Sequence, residues 1–513
     1  MGSWNSVGLE LGNSRTGVLA RQWQICPQGN LIRLAGLASG NCPRLGFRVW
    51  PAGKIFGMGW RDHAWRTGDE CPLWEFPPGM KVLSYLDRGY ASFVRRLNRR
   101  ALPEAGVSEL VAEIIAHVAA KGDEALVTFT QRFDGATLSP KTLFVTAAEL
   151  EAARESVTPA TRSAVSRSLK NIHAFAKHGL RNDWSAKNAE GATVGERFTP
   201  FDRVGVYVPG GKAPLVSTAL MTAGFAQAAG VPEIIAATPC GPDGTVNPAL
   251  LYALLAAGVT EVIKVGGAQA IAALALGTKS IRPVDRIFGP GNRFVVEAKR
   301  QLVGAVSIDL LPGPSEILIL SDKSGNPDFI AADMLAQAEH GGDSVVGFAT
   351  DCKDLIGKVL QSIDQQLPSL SRGNIIRDVL KSGTFLLHVK SFEEGVALSN
   401  AFCPEHLSLI TAEESRWLPC IRTAGAIYLG EDSPVAVGDF LAGPSHTLPT
   451  GGAGRSFSGL RADQFQRRTS IVRLDKESVR ASLAVVEEFA RLEGLDAHGR
   501  STAIRLEGCP PTP

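Results

Sequence analysis

In "VSELVAEIIAHV" apolar residues recur at helical spacing. Val107, Leu110, Val111, Ile114, Ile115 and Val118 fall on one stripe, which predicts a helix with one buried face. Beyond residue 203 short apolar runs alternate with longer helical ones. "RVGVYV", "EIIAAT", "EVIKV", "VDRIF", "VSIDLL" and "EILIL" predict strands. "STALMTAGFAQAAG", "NPALLYALLAAG", "AQAIAALALG" and "NRFVVEAKRQLV" predict the helices between them. Near-continuous apolar strands alternating with helices imply parallel βαβ units with both sheet faces covered. "NPDFIAADMLAQAEH" opens on an Asn326 cap with Pro327 in the first turn. Gln337 and His340 then lie three apart at that helix's end and share a face. They form either a surface pair or two groups aimed at one point.

The first 79 residues do not follow this pattern. Six of the eight tryptophans (Trp4, Trp23, Trp50, Trp60, Trp65 and Trp74) crowd into them, and Glu10 is the sole acidic residue of the first 60. Three origins fit: an upstream start with Met80 as the real initiator, a transit-like leader, or a genuine appendage. Arginine without acid suits a transit segment, although serine is not enriched. "PPGMKVLSYLDRGYASFVRRLNRR" then begins an ordinary protein pattern.

At 513 residues the chain is long enough for several domains. A net charge of +2 gives no pull toward nucleic acid or an anionic membrane, and no apolar run approaches the ~20 residues of a membrane span. Cysteines 26, 42, 71, 240, 352, 403, 420 and 509 form no CxxC pair, which points away from a disulfide framework or a thiolate zinc site. A reducing, cytoplasmic setting is the expectation, with an organellar leader as the alternative.

Three glycine-rich turns stand at strand-to-helix junctions: "VPGGK" (208–212), "VGGAQA" (265–270) and "GPGN" (289–292). Such turns free backbone N–H groups at helix starts and suit a phosphate or pyrophosphate. None is a GxGxxG, so each alone is equally a plain tight turn. "FCPEHLSL" (402–409) sets Glu405 beside His406, a carboxylate–imidazole pair able to act near neutral pH, or an exposed loop pair. "VGDFLAGPSHTLPTGG" (437–452) adds Asp439 and His446, and "EGLDAHGR" (493–500) adds Glu493 and His498. The amide, carboxylate and imidazoles of Gln337, His340, Asp439 and His498 would suit zinc better than magnesium. Spacing alone does not select those four.

The motifs "VGVYVPGG", "KVGGAQAIAALALGT", "FGPGN", "IDLLPGPSEILIL", "AQAEHG", "PEHLSL", "GDFLAGPSHTLPTGG" and "LDAH" together resemble the histidinol dehydrogenase family, collinearly from about residue 103 to 507. The resemblance implies oxidation of L-histidinol to L-histidine through an aldehyde, in two NAD-dependent steps with one zinc per active site. It implies an α/β fold of incomplete Rossmann-like parallel sheets in two larger domains, with small helical or extended terminal parts. An intertwined homodimer with composite sites is also implied. Zinc ligation falls to Gln337, His340, Asp439 and His498, and catalysis to Glu405 and His406. Substrate contacts fall to Ser315, His446 and Glu493 together with the metal ligands and Glu405. NAD contacts fall to Tyr207, Gln269 and Asn292. The expected segments are a leader without counterpart (1–79) and an N-terminal helical part that opens domain 1 (80–205). A Rossmann-like domain 2 (206–314), the remainder of domain 1 (315–460) and a swapped C-terminal segment (461–513) follow.

Some positions depart from the family pattern. "GGKAPLVST" lacks the usual Tyr-Pro-Ser run, "GLRADQF" carries Arg461 and Asp463, and "PSHTLP" has Ser445 where Asn is expected. They leave open a paralogous zinc- and NAD-linked dehydrogenase of another small alcohol, such as a sulfopropanediol. A non-catalytic interaction protein on the same fold is the reading of a different class. Cys403 also admits a thiohemiacetal route.

Overall fold

The computed structural model describes residues 80–100, 105–210 and 214–507, together with the backbone of four strands between residues 5 and 50. The chain divides into two units, Met1–Trp74 and Glu75–Pro513. In the first, β1 (Asn5–Ser14), β2 (Gly17–Ile25), β3 (Leu31–Leu34) and β4 (Val49–Trp50) pair antiparallel in sequence order.

The second unit holds two parallel sheets. One takes the order β10 (Glu261–Ile263), β9 (Glu233–Ala237), β8 (Arg203–Tyr207), β11 (Arg286–Phe288) and β12 (Ser307–Ile308). All four pairings are parallel. The chain winds outward from β8 in one direction and then, from β11, in the other. A crevice therefore opens between β8 and β11 beyond their carboxyl ends, the ordinary ligand position of such sheets. The second sheet repeats the winding: β17 (Ala426–Leu429), β16 (His406–Ile410), β13 (Glu316–Ser321), β14 (Val345–Thr350), β15 (Thr384–His388) and β5 (Lys81–Ser84). A strand from near residue 80 thus closes the edge of a sheet otherwise built after residue 315, in parallel register with β15. A small antiparallel sheet, β18 (Gln466–Arg473), β7 (Thr193–Pro200) and β6 (Trp184–Lys187), joins distant parts of the chain.

Continuous apolar strands mark the sheet centres, as expected of parallel sheets covered on both faces. Every residue of β8 and of β13 is buried. Each sheet carries its own cluster of Val, Ile, Leu, Phe and Ala side chains. Phe288 at the end of β11 stacks on Phe465, ring centroids 3.8 Å apart, and ties the turn before β18 to the first sheet. Such a pair adds about 0.5–1.5 kcal/mol beyond its burial.

Two details differ from the sequence reading. In helix Ala105–Lys121, Val107, Val111, Ile114 and Val118 are buried, but Leu110 is exposed and Ile115 only partly covered. The seam follows the narrower spacing of 4, 3 and 4 residues, with Leu110 off its edge. "VSIDLL" yields only the two-residue β12. Asp309 turns out of line because its carboxylate accepts from Gly289 N (2.7 Å) and Leu310 N (2.6 Å) and pairs with Lys299. The chain then crosses to β13 and the second sheet.

The C-terminal helices Lys476–Glu493 and Asp496–Ala503 pack on each other. Val485, Phe489, Leu492, Leu495 and Ile504 in this C-terminal part are exposed, as are Ile471 and Val472 of β18 and Leu474 after it. Among the described residues no helix is long and apolar enough to cross a membrane.

Candidate active site

The sequence turns into the site at Cys403. Helix Phe392–Phe402 ends there in a left-handed conformation (φ 57°), and Pro404 leads into β16. Glu405 and His406 therefore stand at the amino end of a central strand, next to the amino end of β13, where Ile317 is in register with His406. Both are buried. Glu405 Oε2 accepts from Ser315 Oγ (2.7 Å) and Glu316 N (2.8 Å). His406 Nδ1 lies 3.0 Å from the Glu316 carbonyl oxygen and 3.6 Å from Glu405 Oε2. A carbonyl can only accept, so Nδ1 is protonated and Nε2 is the nitrogen that gains or loses a proton. That Nε2 faces Asp439 Oδ1 at 3.6 Å, and neither atom has a hydrogen-bond partner.

Burial pushes the Glu405 carboxyl up to about 7, against the charge of His406 and its two hydrogen bonds. Burial works to lower His406, but Glu405 and then Asp439 outweigh it and raise the imidazole to about 9. Burial pushes Asp439 up, yet His406, His446 and His340 hold its carboxyl below the ordinary range. Below about 9 the imidazole therefore holds a proton on Nε2 as well, kept there by Glu405 and Asp439. A partner that takes up the Asp439 charge removes one of those causes and frees Nε2 as a base, beside a carboxylate poised near neutrality.

Gln337 is buried near the end of helix Pro327–Ala338, and its Nε2 has no partner. The expected Asn326 cap is present, its side chain accepting from Asp328 N at 2.9 Å. The helix stops at Ala338, two residues short of His340. His340 N donates to the Gln337 carbonyl (3.2 Å), so the final turn tightens and keeps the two close. Asp439 and His406 are the strongest charges acting on the exposed His340. His446 Nδ1 lies 3.0 Å from the Asp439 carbonyl, and its Nε2 3.1 Å from Thr218 Oγ1. His340, His406 and His446 therefore gather around Asp439, with Glu405 and Ser315 next to His406, while Gln337 is tied to the group through the backbone of His340.

Glu493 and His498 do not join them within one chain. Both are exposed on the C-terminal helix pair. Among the described residues no three His, Cys, Asp or Glu side chains gather to hold a metal. The chemistry of the unpartnered donors still fits a cation. Asp439 presents a buried carboxylate oxygen without a partner, and Gln337 an unpartnered amide whose oxygen and nitrogen exchange places on a flip.

The described parts of the three glycine-rich turns meet at the carboxyl ends of β8, β10 and β11. The N–H of Gly267 donates to the Tyr207 hydroxyl (3.0 Å), whose pKa burial pushes up to about 12. Gln269 is buried with Oε1 unpartnered. Asn292 caps helix Arg293–Leu302, accepting from Phe294 N (3.0 Å) and Val295 N (3.1 Å). Gly289 adopts φ 111° against the Tyr207 carbonyl, a conformation and an approach that a Cβ would forbid.

Cys403 is not placed as a nucleophile. Its buried thiol donates to the Thr423 carbonyl (2.7 Å), and burial raises its pKa. Ser445 and Arg461 have local roles: Ser445 Oγ donates to the Met221 carbonyl (3.0 Å), and Arg461 pairs with Asp463 (2.9 Å). The sequence reading overlooked Glu316 and Thr218. A charged residue opening an apolar central strand was the available signal for Glu316; Thr218 sits in a helix buried on every face from Thr218 to Ala226 and gave none.

A doubly wound sheet with glycine turns at its carboxyl edge and, at the second sheet, a buried carboxylate–imidazole pair suit a dinucleotide-linked oxidoreductase. The sequence profile described as histidinol dehydrogenase matches residues 97–506. The histidinol dehydrogenase of Syntrophotalea carbinolica is 43% identical over 83% of this chain and 99% of that protein. The one from Xylella fastidiosa is 42% identical over 84% of this chain and 100% of that protein. The crystal structure of histidinol dehydrogenase from Elizabethkingia anophelis superposes with a TM-score of 0.79 at 33% identity, covering 84% of this chain and 99% of that one. The chain belongs to the histidinol dehydrogenase family.

Proposed function

We propose that this chain oxidises L-histidinol to L-histidine through histidinal, reducing two NAD in turn, as the last step of histidine biosynthesis in the cytoplasm. The observation that carries the reading is the Glu405–His406 pair, each held by the backbone of Glu316, with Nε2 of His406 left open beside Asp439. Tyr207, Gln269 and Asn292 line the NAD side; Ser315 and His446 meet the substrate.

Gln337, His340 and Asp439 would hold zinc, with His498 of the partner subunit as the fourth ligand. When bound, zinc supplies a Lewis-acidic point that orients the substrate's imidazole and amino nitrogens and offsets the Asp439 charge. The C-terminal helices with their exposed apolar residues are the part that would cross to the partner and bring Glu493 with them.

In the first half-reaction His406 Nε2 takes the hydroxyl proton while the carbinol hydrogen leaves as hydride to the nicotinamide. The C–O bond becomes the aldehyde carbonyl. NADH then exchanges for a second NAD. In the second, Glu405 takes a proton from water as its oxygen attacks the aldehyde carbon, and His406 returns the proton it took to the former carbonyl oxygen, so that it is neutral again. His406 deprotonates the resulting hydrate while the remaining carbon-bound hydrogen passes as hydride to the second NAD, leaving a carboxylate. Positioning in a closed site limits escape of the aldehyde.

Complementation of a histidine auxotroph lacking histidinol oxidation tests the substrate. Growth without histidine is expected. Failure to grow, with activity on another small alcohol, would assign the paralogous reading instead.

A further inference from the structure

We propose that Glu316, neutralised by Arg99, is a positioning residue that holds Glu405 and His406 in working geometry. The inference rests on the reading of those two as the catalytic pair. One residue grips both: its N–H donates to Glu405 Oε2 (2.8 Å) and its carbonyl accepts from His406 Nδ1 (3.0 Å). Its own side chain is wholly buried. A carboxylate there is costly unless something holds it. Arg99 forms the ion pair, and Gly451 N adds a hydrogen bond to the same oxygen, Oε1, at 3.2 Å. Oε2 has no partner, and burial still raises the carboxyl's pKa against these contacts, so its charge depends on Arg99.

Arg99 is itself fixed by what precedes the catalytic pair. Its NH1 donates to the Phe402 carbonyl (3.1 Å), and the guanidinium lies 3.7 Å from the Phe402 ring centroid. Arg455 NH1 donates in turn to the Arg99 carbonyl (3.0 Å), and Arg455 NH2 to Asn98 Oδ1 (2.8 Å). A segment near residue 99, the turn after Phe402 and the loop at 451–455 therefore converge on one carboxylate behind the pair. An apolar residue would fill the space with less desolvation cost. A charge serves where the strand end must not shift, since a displacement of about 1 Å at reacting groups costs on the order of a hundredfold in rate.

The charge acts on Glu405 as well. Glu405 is faced by His406 on its own strand, by Glu316 on β13 and by Tyr428 on β17. Asp439 lies beyond His406, and Arg99, Arg455 and Cys403 surround Glu316. Within that set Glu316 is the group whose negative charge favours the protonated form of Glu405.

The test uses the full-length, zinc-loaded enzyme with histidinol and with histidinal across pH. Glu316→Gln keeps the size and an acceptor for Gly451 but removes the charge. We expect kcat to fall about ten- to a hundredfold in both half-reactions, with KM for histidinol within about threefold. The acid limb of aldehyde oxidation should move to lower pH by about half a unit or more. Arg99→Met should reproduce the pattern, because Glu316 without its partner takes up a proton, and Arg99→Lys should restore most of both. Loss of kcat with an unmoved limb, or no difference between Arg99→Met and Arg99→Lys, overturns the inference. If Glu316→Gln does not fold, the two Arg99 variants decide alone, since Arg99 is partly exposed (14%). Glu405→Gln separates the two layers. Full aldehyde oxidation in that variant sinks the catalytic reading itself, whereas an inactive variant with unmoved limbs in the others sinks only the role of Glu316.

Discussion

Replacing Glu405 with glutamine should split the two oxidations. The amide keeps an oxygen that can accept from Ser315 Oγ and Glu316 N, now at 2.7 and 2.8 Å, so the strand end stays in place. What is lost is the second carboxylate oxygen's ability to take a proton from water. A positioned general base is worth about 10²–10⁴ in rate, or about 2.7–5.4 kcal/mol at 1.36 kcal/mol per decade. Histidinal oxidation should fall by that factor, while histidinol oxidation to the aldehyde, which uses His406, should fall less than about tenfold. The wild-type carboxyl is pushed up to about 7, and only its ionised form is a base. Aldehyde oxidation should therefore decline as pH falls through about 7, and this limb should be absent from Glu405→Gln. The assay is single-turnover NADH formation from histidinol and from histidinal over a pH series. Equal and mild losses in both half-reactions, or a limb near 7 that survives the substitution, would refute the division of labour.

Three further outcomes are expected. The wild type should carry about one zinc per chain, and His340→Ala should lose most of it, because neighbouring groups cannot replace an imidazole ligand; equal metal content in the variant would refute the assignment. Chains carrying His406→Ala mixed with chains carrying His498→Ala should regain up to about half of wild-type activity in the heterodimer, since one site then carries both defects and the other neither. A verified heterodimer that stays inactive would count against a composite site. A chain starting at Met80 keeps β5, which pairs with β15, and should be soluble and fully active; an insoluble or inactive product would make residues 1–79 a working part of the protein.

The alternation of apolar runs was enough to read the parallel βαβ units of the first sheet and the strand β13, because central parallel strands are apolar on both faces; the other strands of the second sheet were not read from the pattern. Helix starts were equally legible at Asn326 and Asn292, where the capping residue interacts only with the next turn. The Glu405–His406 pair was legible as chemistry but not as geometry. Its two grips come from Glu316, about ninety residues earlier, through backbone atoms that no side-chain pattern encodes. For the same reason nothing local announced that β5 would close a sheet built after residue 315, or that Asp309 would cut β12 to two residues by turning back to Gly289. Glu493 and His498 show the remaining gap. The resemblance named them, but a single chain leaves them exposed and away from Asp439.

The most direct test is stoichiometric. Purified, zinc-loaded protein is given limiting L-histidinol and excess NAD, and NADH, histidine and free aldehyde are measured together. The expected result is two NADH and one histidine per histidinol consumed, with no accumulated histidinal. One NADH per substrate with histidinal released, or no turnover of histidinol at all, would contradict the four-electron oxidation proposed for this site.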